Sequence, residues 1–233
     1  RAKTDIMTND PKILFLAFVG GIIPALLWLW FWLKEDKQKP EPKGLLSVIF
    51  IMGVIAVIFV LPIQKFIQAH VASYGWELVL WATAEEIMKF IAVTIVLYKT
   101  NFADEPIDWP IYMITGALGF AALENALFLI KPLSLGATAV GLLTGQLRFL
   151  GSTLLHTVSS AIVGIAVGIS LHTGGFARKW HFLVGLFLAS ALHSIFNFFI
   201  IKNNGSDFLK VFAFLWVVTI IVMLLFEKIR RMN

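Results

Sequence analysis

The chain has 233 residues, 59% of them hydrophobic and 14% charged, and its mean hydropathy is +0.86; a composition this apolar excludes a soluble globular domain and places the chain in a bilayer. It contains no cysteine, which rules out disulfides, a thiolate nucleophile and Cys-based zinc or iron–sulfur centres. The net charge of +5 comes from Lys and Arg in short loops and tails beside apolar runs, as topology-setting charges do, so no nucleic-acid partner is expected.

Crossing a hydrocarbon core of roughly 30 Å takes about 20 apolar residues. Runs of that length predict seven spans, at 13–33, 44–66, 77–98, 110–130, 148–171, 181–201 and 208–227. The fold class is therefore all-α: a polytopic membrane helix bundle of about seven transmembrane helices, forming a single membrane domain over 1–233. The loop 34–43, rich in Lys, Glu and Pro, reads as solvated. Segment 133–147 (LSLGATAVGLLTGQL) is apolar but short and rich in small residues. It is expected to lie on the surface or re-enter, because an eighth crossing there would reverse the direction of the fifth span. Ten cationic residues fall on one side of this scheme: Lys34, Lys37, Lys39, Lys43, Lys99, Arg178, Lys179, Lys228, Arg230 and Arg231. The other side holds seven, among them Arg1, Lys3 and Lys12. That bias predicts a multi-pass plasma-membrane protein with its N-terminus outside and its C-terminus cytoplasmic.

A charge at mid-bilayer costs about 3 kcal/mol on insertion scales, so each one calls for a partner or a purpose. The third span carries Glu85, Glu86 and Lys89, the fourth Glu124 and Asn125, the fifth Arg148 at its mouth and His156 within, and the sixth His193 and Asn197. The first and seventh spans hold no such residue in their interiors, and the second has only Lys65 at its end. With a rise of about 1.5 Å per residue, Glu85, Glu124, His156 and His193 all lie roughly 9–12 Å below the outer edge. Antiparallel helices with polar residues at one depth can build one site. Residues four apart share a helix face, which pairs Glu85 with Lys89 and His193 with Asn197. It also sets Gly116, Phe120 and Glu124 on one stripe, and Ser160, Gly164 and Gly168 behind His156, a small-residue surface suited to close helix packing.

A carboxylate beside a histidine in a water-excluding site can activate water while a second group polarises a carbonyl. Glu85 and Glu86 point about 100° apart, so one can serve the site while the other meets Lys89 or Arg148. Two His and one or two Glu also match the ligand count of a catalytic zinc; the candidate set is Glu86, His156 and His193. The same buried charges would suit a proton- or ion-coupled transporter, and two histidines at one depth would suit bis-His haem. Taken singly, a membrane His or Asn also serves as a hydrogen-bonding link between helices.

The ordered pattern of Glu85-Glu86-x-x-Lys89, then Gly119-Phe120-Ala121-x-x-Glu124-Asn125, then Arg148 with His156 eight residues on, then His193-x-x-x-Asn197 resembles the PrsW family of intramembrane proteases, distant relatives of the CAAX prenyl protease and bacteriocin-processing superfamily. The resemblance covers residues 77–200 and marks 77–201 as a candidate catalytic core. It implies hydrolysis of a peptide bond in a membrane-anchored, anti-sigma-factor-like protein at the outer side of the membrane. Glu85 and Glu86 would be the essential acids, one of them the water-activating base, and His156 and His193 would complete the site. By the same resemblance His193 and Asn197 would stabilise the oxyanion and Glu124 would position water or metal, with Lys89, Asn125 and Arg148 in support. The wider superfamily has Phe-x-x-x-His as its second motif, whereas Phe120 here is followed by Glu124.

Overall fold

The computed structural model describes residues 10–34, 40–98, 100–202 and 208–231; Arg1, Lys3, Lys37, Lys39 and Lys99, used above for orientation, lie outside them. The regular elements are all helical: α1 (Pro11–Leu33), α2 (Lys43–His70), α3 (Tyr74–Leu97), α4 (Asp108–Ser134), α5 (Thr138–Leu147), a π turn (Arg148–Ser152), α6 (Thr153–Ile169), α7 (Gly175–Lys202) and α8 (Phe208–Arg230). Each expected span falls on a helix, with ends shifted by a few residues except in the fifth, whose helical run begins well before Arg148. Among the described residues six helical runs are long and apolar enough to cross a membrane. The 24-residue α3, which carries Glu77, Glu85, Glu86 and Lys89, is not one of the six.

Segment 133–147 departs from expectation. Leu133 and Ser134 finish α4, Gly136 turns the chain with φ of 68°, a left-handed conformation that glycine adopts without a Cβ clash. From there α5, the π turn and α6 run on as one helix, of which Ala139–Ile169 spans 31 residues. The segment is neither a surface piece nor a separate crossing; it is the first third of the rod that carries His156. The fifth span therefore starts on the side where α4 ends, and the equal-depth geometry holds.

The two central helices are α4 and α6, buried on nearly every face by the elements around them. α4 packs against α1, α2 and α6, and α7 packs against α3 and α6. These contacts are close because small residues sit at the crossings. Gly53 of α2 lies on the backbone of Gly116 in α4, and Gly164 of α6 lies on Pro110 and Trp109 at the start of α4. A Cβ on Gly164 would stand 2.6 Å from Pro110 Cα, and backbone on both sides leaves little room to give. The stripe behind His156 thus seats α6 on α4.

Gly164→Val should lower stability by about 1–3 kcal/mol through overpacking, read as a fall in the thermal midpoint in detergent. Gly175→Ala, where a Cβ meets nothing within 4 Å, should leave the midpoint unmoved.

Candidate active site

Four of the helices bring their polar residues to one level. α3 contributes Glu85, Glu86 and Lys89, all buried; α4 contributes Glu124 and Asn125; α6 contributes His156, Ser159 and Ser160; α7 contributes His193. The two acids of α3 have different surroundings. Glu86 is fully buried and saturated: its Oε1 accepts from Lys89 Nζ (2.8 Å), Ser159 Oγ (2.9 Å) and His193 Nδ1 (3.0 Å), and its Oε2 accepts from Ser160 Oγ (2.7 Å). Four donors occupy the acceptor capacity of a carboxylate. Glu85 accepts one bond at Oε1, from Gln64 Nε2 of α2 at 2.8 Å. Its Oε2 is buried without a hydrogen-bond partner, 3.6 Å from His193 Nε2 and 3.9 Å from His156 Nδ1.

Both histidines are oriented through the ring nitrogen remote from Glu85. His193 donates Nδ1–H to Glu86, which in the neutral ring leaves the Nε2 lone pair directed at Glu85. Lys89 Nζ, which as an ammonium can only donate, lies 2.7 Å from His156 Nδ1 and so makes that nitrogen an acceptor. His156 Nε2–H then donates to Glu124 Oε2 at 2.9 Å. Glu124 in turn pairs with Arg148, whose Nε donates to Asn125 Oδ1 (2.6 Å) and whose Nη2 donates to Ser152 Oγ (3.0 Å). Asn125 closes the set by donating to Thr153 Oγ1 at 2.8 Å. The rings of His156 and His193 meet edge to face at 4.9 Å, and Phe120 packs against His156.

The site opens into a cavity of about 680 Å³ lined by Gln64, Glu85, Glu124, Arg148, His193 and Asn197 among others. Lys89 and Glu86 lie behind this wall, whereas Asn197 lines it one helical turn beyond His193.

Among the described residues, Glu85, His156 and His193 form the group whose ligand atoms converge, all within 4.8 Å of one another. Two ligands of a tetrahedral zinc stand about 3.4 Å apart; the separations around Glu85 Oε2, 3.6 and 3.9 Å, are close to that, and the two imidazole nitrogens lie within 4.8 Å of one another. Two imidazole nitrogens and one carboxylate oxygen, each imidazole backed by a carboxylate, make a donor set of the kind that catalytic zinc uses. The acid in this set is Glu85; Glu86, placed in the ligand set on sequence grounds, spends its oxygens on four other donors. A cation bound here would take the His156 lone pair that Lys89 engages.

Glu85, Glu86, Lys89, Glu124, Asn125, Arg148, His156, His193 and Asn197, the nine residues expected from sequence, all lie in or against this site. Lys89 shares a face with Glu85, but of the two acids the one it bonds is Glu86, three residues away. Gln64, Ser159 and the Thr153 hydroxyl join them without having been expected from sequence. The signal for Gln64 was a neutral amide two residues after Pro62 in an otherwise apolar stretch, beside the more conspicuous Lys65.

A polytopic helix bundle with a buried Glu/His site on a cavity has the parts an intramembrane hydrolase needs. Comparison with known proteins agrees: the profile of the PrsW family intramembrane metalloproteases matches residues 41–226. Proteins named Protease PrsW are similar over most of their length. The one from Oceanobacillus iheyensis is 30% identical over 86% of this chain and 91% of its own. That from Geobacillus kaustophilus is 28% identical over 82% of both chains, and that from Bacillus subtilis 26% identical over 87% and 92%. No solved structure matches this chain significantly. The chain belongs to the PrsW family, and is a multi-pass membrane protein and an intramembrane protease.

Removing one partner of a buried ion pair strands the other, at about 3–5 kcal/mol. Lys89→Met should therefore destabilise the protein by that amount in chemical denaturation. The Lys89→Met/Glu86→Gln double variant should fall well short of the sum of the single losses, since the two residues share one network.

Proposed function

We propose that this protein is an endopeptidase that hydrolyses a peptide bond of a membrane-anchored protein, an anti-sigma-factor-like substrate by family resemblance, near the outer face of the plasma membrane. One observation carries the chemical assignment: the buried, unpartnered Oε2 of Glu85 faces two imidazole nitrogens whose opposite nitrogens are held by Glu86 and Glu124. On this reading residues 77–201 are the catalytic core, within a single membrane domain. The placement near the outer face rests on the excess of Lys and Arg on the opposite side, which also puts the N-terminus outside and the C-terminus in the cytoplasm.

In the proposed reaction a water lodged in the cavity beside Glu85 attacks the scissile carbonyl carbon. The water proton passes to Glu85 Oε2 as the new C–O bond forms, and the carbonyl electron pair moves to oxygen. Asn197, one turn beyond His193 on α7, lines the cavity where that oxyanion would develop and has an amide N–H to offer it. As the C–N bond breaks, Glu85 returns the proton to the leaving amine. Glu86 fixes the tautomer of His193, Glu124 fixes that of His156, and Arg148 holds Glu124 in place. Glu85, His156 and His193 would hold a zinc, which when bound lowers the pKa of water and polarises a carbonyl; with zinc in place Glu85 would serve as its ligand rather than as the base. The burial of the site keeps bulk water from the intermediates.

The test is a cleavage panel of single-span substrates with the scissile bond set near either face, using purified full-length protein in liposomes. We expect cleavage near the outer face, and losses of at least about a hundredfold for Glu85→Gln, His156→Ala and His193→Ala, in the range of acid–base contributions. Parent-level cleavage by Glu85→Gln would end the assignment. Metal analysis of the same samples should find about one zinc per chain in the parent, and reduced zinc in each of these three variants. Full activity after exhaustive chelation would exclude the metal.

A further inference from the structure

Gln64 is the polar residue that α2 sends into the site, and two bonds join it to α3. Its side-chain Nε2 donates to Glu85 Oε1 at 2.8 Å, and its main-chain carbonyl accepts from Trp81 Nε1 at 3.1 Å. Trp81 and Glu85 are four residues apart and share a face of α3, so one residue of α2 is fastened to two successive turns of that face. The Trp81 bond fixes where the Gln64 backbone stands, and the amide then fixes which oxygen of Glu85 is occupied. A carboxylate with one oxygen held has lost its freedom to rotate, and the oxygen left over is the one 3.6 Å from His193 Nε2 and 3.9 Å from His156 Nδ1. Neither histidine gives Glu85 a hydrogen bond, so Gln64 is its one hydrogen-bonding anchor among the described residues.

We propose that Gln64 is a positioning residue of the protease: by holding Glu85 Oε1 it presents Oε2 to His156 and His193. The inference rests on the assignment of Glu85 to the reaction made above. A merely structural helix-linking amide would affect stability and nothing specific to Glu85. A positioning amide influences zinc and rate only through the Glu85 carboxylate it orients, and residues that orient metal ligands change affinity or activity by about 10–100-fold when removed.

The experiment is a double-mutant cycle on the full-length protein, with zinc affinity read by competition against a chelator and cleavage split into kcat and KM. Gln64→Met keeps length and removes the donor. It should weaken zinc binding and lower kcat by about 10–100-fold, with KM unchanged. In the Glu85→Gln background, Gln64→Met should have no further effect on zinc affinity. Should the Met variant fail to fold, Gln64→Asn, whose amide is one methylene too short to reach Oε1, carries the same expectation. A loss of equal size in both backgrounds, or parent-level affinity and kcat for the Gln64 variant, overturns the inference. Glu85→Gln with parent-level affinity and cleavage would instead overturn the assignment of Glu85 itself.

Discussion

The structure turns on a buried ion pair, Glu86 with Lys89, both fully inaccessible in the middle of an apolar bundle. Desolvating two such groups costs several kcal/mol each, which their mutual attraction offsets only when the remaining donors and acceptors are satisfied as well. One helix cannot satisfy them. Ser159 and Ser160 must come from α6, His193 from α7, and Lys89 must reach His156 across the gap. The charge on α3 therefore dictates which helices stand beside it, at what level and with which face inward. The geometry useful for catalysis is a by-product of meeting that demand on all sides except one, Glu85 Oε2.

Meeting it requires helices close enough for short side chains to touch. Serine hydroxyls extend little beyond the backbone, so α6 must lie tight against its neighbours, and the stripe that begins at Ser160 and continues through Gly164 and Gly168 permits this. In a bilayer no hydrophobic force drives helix against helix, and close van der Waals packing with interhelical hydrogen bonds must supply the association. Here the two are consecutive turns of one helix: Gly164 seats α6 on the start of α4 and Gly168 seats it on Pro106 just before, and Ser159 and Ser160 are delivered to Glu86.

Much of this was legible in the sequence because it depends on one-dimensional quantities. Span positions follow from hydropathy, and the meeting of Glu85, Glu124, His156 and His193 follows from a constant rise per residue. The division of labour between Glu85 and Glu86 was not legible. Adjacent residues differ by about 100° in direction, but which direction faces the cavity depends on the rotation of α3 against α6 and α7. Gln64 was missed for a related reason: near the end of a span, beside Lys65, an amide reads as interfacial until α3 is placed next to α2. The segment 133–147 misled because hydropathy registers small residues as weakly apolar and is blind to a helix that simply continues.

That continuation explains the spacing of Arg148 and His156. Residues eight apart on an ideal α-helix differ in direction by about 80°, too far for both to address one carboxylate on a neighbouring helix. The π turn at Arg148–Ser152, where Thr153 N–H reaches back to Arg148 O, adds one residue to a turn. The eight residues then cover the rotation of seven, which brings Arg148 and His156 to within about 20° of one another. Both consequently bond the same Oε2 of Glu124. A straight helix would have had to choose between neutralising Glu124 and using it to orient the histidine. The π turn lets one carboxylate do both, and it turns α5 so that Leu143 and Leu147 wall the cavity.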